Sequence, residues 1–308
     1  MAYVTDIRDA VSIGEAARRT GVPVRTIRFY CDEGLLVTGR TTGGHRVFTA
    51  DALARLSSIR RLRAVGLGLT AIAGVLADEN AVDAAVAAER ATVAAELRAL
   101  SWRHAVLCAL GEAPPGERAT ALRRLAGVAE PGAARDQLIA FWRNILAAMP
   151  PWLFDDFVAM DIPSIPVAPT PAYVLAIAEL AELARTPDLS RAIGRQLWLS
   201  DGRPVRDRRA LVTEVAAAHT LAAQRVHAGD DPAPGPELDL FVRAHALARG
   251  DRDTAAFRRR LARAAAGHPA ITRYWALTAD ALGSPHTTGS TQNWLNTALV
   301  LSIAPISG

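Results

Sequence analysis

Between residues 12 and 48 the chain sets two short helix signals, a tight turn and a hairpin signal one after another, which fits only a small, sharply turned module. Ser12-Ile13-Gly14-Glu15 has capping-box spacing, a serine able to cap and a glutamate three residues on. Ile13, Ala16 and Ala17 give this first helix an apolar face. Thr20-Gly21 ends it, because glycine reaches positive φ without a steric penalty. Pro23 suits the first turn of a second helix, where its missing N–H would be unpaired anyway. Gly34 closes that helix. Two helices of about two turns joined by a glycine turn read as helix-turn-helix.

The second helix, Val24 to Glu33, has two faces. Val24, Ile27 and Cys31 fall on one and are expected to pack inward. Arg25, Arg28, Phe29 and Asp32 fall on the other. Guanidinium forks suit phosphates and guanine edges, which is the chemistry of a recognition helix. A merely solvated cationic face would carry the same pattern, so the stripe alone leaves both readings open. Gly43-Gly44 then marks a hairpin turn between two short β-like runs, predicting a wing that carries Arg40, His45 and Arg46. Thr49 caps a third helix with Leu53, Leu56, Ile59 and Leu62 inward and Arg55, Arg60, Arg61 and Arg63 mostly outward. Gly66-Leu67-Gly68 breaks it, and Thr70 caps a fourth helix ending near Asp78.

The ordered runs Ser12-Ile13-Gly14-Glu15-Ala16-Ala17, Arg25-Thr26-Ile27-Arg28-Phe29-Tyr30, Gly34-Leu35-Leu36, Gly44-His45-Arg46-Val47-Phe48 and Leu53-Leu56-Ile59 resemble the MerR family of bacterial transcription regulators. The resemblance covers about residues 11–110. It departs at Phe29, His45 and Phe48, where tyrosines are common in the family, so hydroxyl contacts to phosphate are lost at Phe29 and Phe48. The candidate DNA-contacting residues are Ser12, Arg25, Thr26, Arg28, Phe29, Tyr30, Arg40, His45, Arg46 and Arg60. The resemblance implies double-stranded promoter DNA as partner, and RNA polymerase engaged indirectly through that DNA.

Charge is distributed in the same sense. Residues 1–78 hold 11 Arg against 7 acidic side chains, while residues 79–308 hold 24 of each, so the whole net charge of +4 sits in the first quarter. That is the asymmetry of a nucleic-acid-binding head on a neutral body. Only two cysteines occur, Cys31 and Cys108, in no zinc or disulfide pattern, and no metal or cofactor is expected. No signal peptide and no apolar run of spanning length is read, so a cytoplasmic protein without a membrane partner is expected. Cys31, on the inward face, reads as a small core residue.

Residues 80–110 contain no proline and no glycine. Val93, Leu97, Leu100, His104 and Leu107 recur at spacings of 4, 3, 4 and 3, a coiled-coil seam. In the resembled family a helix here pairs antiparallel with a second copy, so Val93, Leu97, Leu100 and Leu107 are candidate homodimer contacts on an inverted-repeat operator. His104 and Cys108 are i, i+4 neighbours, a spacing able to place two ligands on one metal, or a seam histidine beside a buried thiol.

Glu112-Ala113-Pro114-Pro115-Gly116 is a linker. Beyond it helices are expected at 117–128, 132–148, 151–159, 171–185, 188–200, 205–229, 236–249, 252–266, 269–282 and 290–303, with a proline-rich connector at Asp161–Pro171. The fold expected is mainly α. A winged helix-turn-helix head occupies 1–78, a dimerisation helix 79–111 and an all-α effector domain 112–308. Trp142, Trp152, Tyr173, Trp198, His219, Tyr274, Trp275 and Trp294 are candidate lining for a small, apolar or aromatic effector, though core packing explains aromatics at helical spacing equally well. No catalytic constellation is visible, so an enzyme is not expected. Two other functions remain open: a drug-sequestering protein with a vestigial head, and a metal or thiol sensor using His104 and Cys108.

Overall fold

The computed structural model describes residues 10–41, 43–78, 81–198, 204–265 and 267–303. Thr42 of the wing, the last two residues of the helix expected at 188–200 and the last of that at 252–266 lie outside them. Contacts divide the chain into two compact units, one up to Glu96 and one from Leu97 onward.

The N-terminal unit begins with β1 (Val11–Ser12), α1 (Ile13–Thr20) and α2 (Val24–Asp32). The wing, β2 (Gly39–Arg40) and β3 (Arg46–Phe48), follows, then α3 (Ala50–Ala64), α4 (Leu69–Ala77) and the first half of α5 (Val82–Glu112). Ser12 caps α1 by accepting from the Glu15 N–H at 3.3 Å. The Glu15 carboxylate does not complete the capping box; it pairs with Arg18 and Arg19 on its own helix. Gly21 takes the left-handed conformation and closes α1 on the Ala17 carbonyl. The sheet order is β1-β3-β2, all antiparallel, with Val11 opposite Phe48 and Arg40 opposite Arg46. β1 was not anticipated, because two residues carry no alternation to read. Ala16, Ile27, Phe48, Leu56, Ile59 and Ile72 are wholly buried and form the centre of this unit's core.

The C-terminal unit takes the second half of α5. It then adds α6 (Arg118–Ala126), α7 (Pro131–Ile145), α8 (Pro151–Asp161), α9 (Pro171–Arg185) and α10 (Pro187–Trp198). Next come α11 (Arg208–Ala228), α12 (Pro236–Leu247), α13 (Ala255–Ala264), α14 (Pro269–Leu282) and α15 (Thr288–Ile303). Every helix expected from the sequence is present, and at two of the starts that differ a cap sets the position. Asp207 accepts from the Ala210 N–H at 2.8 Å and Thr254 from the Phe257 N–H at 3.1 Å, fixing the starts of α11 and α13. Among the described residues no helix is long and apolar enough to cross a membrane.

Two cores share this unit. The first gathers Trp102 of α5, Leu125, Leu138, Trp142, Phe157, Leu180 and Tyr274. The second gathers Leu211 of α11, Phe241, Phe257, Trp294 and Leu295. Burial of Trp102, Ala105 and Ala109 is why the unit boundary falls inside α5 and not at the linker. Asp161, at the end of α8, is buried and accepts from the Thr288 N–H at 2.8 Å and the Thr288 hydroxyl at 2.6 Å, tying α8 to the start of α15. Burial lifts its carboxyl above the ordinary value, partly offset by these two donors.

The first turn of α15 also packs against α14 through Gly289. A Cβ there would overlap the Trp275 indole at Cγ. Gly289→Ala is therefore expected to destabilise the C-terminal unit by roughly 1–3 kcal/mol or more, as overpacking does. A lowered urea midpoint is the readout, and an unchanged one would show that the indole moves aside freely.

Candidate nucleic-acid interface

α2 presents Arg25, Arg28, Phe29 and Asp32 to solvent, as its pattern predicts; Phe29 is 45% exposed. Thr26 is half-buried beside them. The inward face differs from expectation. Ile27 and Tyr30 are its buried residues, whereas Val24 and Cys31 are only half-buried. Tyr30 thus belongs to the head core and not to the outer face, because residues three apart on a helix share one side. Burial, partly offset by the nearby Arg46 cation, pushes the Cys31 thiol above its ordinary value.

The wing is drawn onto the outer face of α2 by Arg46, whose Nη2 donates to Asp32 Oδ1 at 2.7 Å. Arg40 donates to the Gly44 carbonyl at 3.2 Å, stiffening the turn, and His45 stands exposed at its tip. Gly44 sits at φ 84°, the left-handed region that the turn requires of it. Of the α3 arginines expected mostly outward, Arg60, Arg61 and Arg63 are exposed and Arg55 is half-buried, but three of the four also hold carbonyls outside the helix. Arg55 donates to the carbonyls of Leu35 and Leu76, Arg60 to that of Thr20 at 2.8 Å, and Arg63 to that of Leu67 at 2.9 Å. Ser12 is spent on its cap. Arg25 and Arg28 have no carboxylate partner among the described residues. The surface that remains is one helix face and one hairpin, cationic, with an exposed ring between.

The profile of the MerR HTH family regulatory proteins matches residues 11–79. Regulator MerD of Shigella flexneri is 36% identical over 114 residues, which is 36% of this chain and 93% of MerD. The chain belongs to the MerR family. Nodulation protein NolA of Bradyrhizobium elkanii is 43% identical over 70 residues, 22% of this chain and 32% of NolA. Transcriptional activator TipA of Streptomyces lividans is 41% identical over 71 residues, 23% of this chain and 28% of TipA. The chain thus matches a third or less of NolA and TipA. No solved structure matches it. Membership in the MerR family leaves the C-terminal unit unassigned.

The eight effector candidates of that unit do not converge. Trp142, Tyr274, Trp275 and Tyr173 belong to the first core, where Trp142 Nε1 donates to the Tyr274 hydroxyl at 2.7 Å. Trp198 and Trp294 belong to the second, and His219 on α11 faces Gln292 of α15. Trp152 joins neither and is 62% exposed. As they stand, the eight cannot line one pocket, because each core fills itself with its own rings. Two surface recesses lie elsewhere. One of about 460 Å³ is lined by Asp253, Thr254, Arg258, Arg259 and Ser302, and one of about 320 Å³ by Leu100, Ser101, His104, Ala168 and Pro169. His104 and Cys108 do meet, with Sγ 3.7 Å from Nε2, but among the described residues no group of three or more His, Cys, Asp or Glu could hold a metal.

Beside the second core lies a polar layer, buried at His245 and Arg249 and half-buried at His219 and Gln292. His219 Nε2 meets Gln292 Oε1 at 2.9 Å, and Arg249 Nη1 donates to His245 Nδ1 at 3.1 Å. Burial, then the neighbouring Arg249 cation and His219, push His245 down from 6.5 to about 3. The unfolded imidazole takes a proton near 6.5 that the folded one refuses. Stability is therefore fully present above that value and is lost as pH falls from 6.5 toward 3, by up to roughly 1.4 kcal/mol per pH unit. Urea midpoints followed by tryptophan fluorescence should fall between pH 7 and pH 5, and His245→Gln, which keeps an acceptor without titrating, should flatten that slope.

Proposed function

We propose that this MerR-family protein is a homodimeric transcription regulator that binds double-stranded DNA and answers to a small organic effector through its C-terminal unit. The observation that carries the reading is the outer face of α2, where Arg25 and Arg28 are exposed with no carboxylate partner among the described residues while Arg46–Asp32 holds the wing alongside. A helix of this width enters the major groove, its guanidiniums reach guanine edges or phosphates, and the wing reaches the adjoining backbone. The N-terminal surplus of positive charge steers the encounter.

The dimer rests on α5. Val93, Leu97, Leu100 and Leu107 are 52%, 55%, 63% and 58% exposed, an apolar seam with no cover in the single chain. Pairing this seam in two-fold fashion buries those leucines and presents two heads to an inverted repeat. The resembled regulators act on promoters by distorting DNA, and RNA polymerase is then engaged through the DNA itself. Distortion costs a few kcal/mol, within reach of effector binding that favours one dimer state. The 190-odd residues beyond the head support an input role, since DNA binding alone does not require them.

DNase footprinting of a target promoter should show a protected inverted repeat. Arg28→Ala and Arg46→Ala should each weaken binding by about 1–3 kcal/mol. Binding unchanged by either would remove α2 and the wing as the interface. Leu97→Glu with Leu100→Glu should leave a monomer in sedimentation experiments; a persisting dimer would rule out the α5 seam.

A further inference from the structure

α8 divides into two faces along its whole length. Phe154, Phe157 and Asp161 point inward and are buried. Trp152, Asp155, Asp156, Ala159 and Met160 point outward, with Trp152 and Met160 each 62% exposed. From Trp152 to Met160 is eight residues, about 12 Å or two turns. Large apolar side chains left in water on one stripe mark contact surfaces, and tryptophan leads among residues that dominate such contacts. Asp155 and Asp156 lie between the two, exposed, and neither takes part in an ion pair among the described residues. The stripe is therefore apolar along its axis and negative at its centre.

That charge selects the occupant. Nucleic acid and anionic lipid would be repelled. A second copy packed two-fold on the same face would bring four carboxylates together, which is unfavourable. We propose that the outer face of α8 is a docking surface for a partner protein that presents an amphipathic helix with an apolar stripe flanked by arginine or lysine. Its apolar residues would cover Trp152 and Met160, and its cations would meet Asp155 and Asp156 and lie over the indole ring. The two-turn length suits the contact of one helix laid along another.

The test uses the full-length protein and fluorescein-labelled synthetic helical peptides. One carries a leucine stripe flanked by arginines; its twin replaces every arginine by glutamate. Anisotropy should rise with the arginine peptide alone. Trp152→Ala should weaken binding roughly thirtyfold, as loss of a central anchor does. Asp155→Asn with Asp156→Asn should weaken it and remove its salt dependence. These side chains are exposed, so circular dichroism should match the parent. Failure of the arginine peptide to bind, equal binding of the glutamate peptide, or binding unchanged in Trp152→Ala would each overturn the proposal. So would an assembly state lowered by Trp152→Ala, which would make a second copy the occupant.

Discussion

Every helix end leaves backbone N–H or C=O groups without helical partners, and a chain built from many short helices multiplies that debt. At several helix ends this molecule meets it with side chains. Ser12, Thr49, Thr170, Asp207 and Thr254 cap the starts of α1, α3, α9, α11 and α13. Carbonyls are met by long donors arriving from elsewhere in the chain. Arg55 joins α3 to the carbonyls of Leu35 and Leu76, and Arg60 reaches that of Thr20. Trp102 Nε1 reaches the Val128 carbonyl and Trp294 Nε1 that of Asp230, each at 2.9 Å. A buried carbonyl left unpaired costs about 1–3 kcal/mol, so these donors are held where they are.

Function follows from what that requirement leaves over. All 35 cationic side chains other than histidine are arginines, and in the head many serve the fold. Arg55, Arg60 and Arg63 hold carbonyls, and Arg46 holds the wing to α2. Arg25 and Arg28 stay unengaged on one face among the described residues, so the surface that supports DNA binding is narrower than a count of basic residues suggests. The same subtraction operates on the aromatic residues of the C-terminal unit. Trp142, Tyr274 and Trp294 are used in packing, whereas Trp152 is left over. An effector that enters this unit must find a space these rings do not already fill.

Much of the head was legible because its determinants are local. Ser12, Gly21, Gly44 and Thr49 act within a few residues of themselves, and each performs the role its type and position indicate. Tyr30 was not legible. Position 30 lies between the apolar and cationic stripes of α2, and only packing against the head core decides which side it joins. β1 escaped notice because two residues take strand form only by pairing with β3. In the C-terminal unit, helices could be read from proline, glycine and caps, but their assignment to two cores could not, since helical periodicity states that a face is buried and not against what.

The sequence alone determined which segments are helical, that the head is a winged helix-turn-helix, and that α5 carries an apolar seam; capping, turn chemistry and periodicity are short-range and need no fold to be effective. Only the tertiary structure decided which arginines hold carbonyls, which aromatics fill cores and which remain outside. Most of those outcomes depend on distant partners, 20 residues away for Arg55 and Leu35 and 132 for Trp142 and Tyr274, and a long-range contact leaves no local mark on either residue.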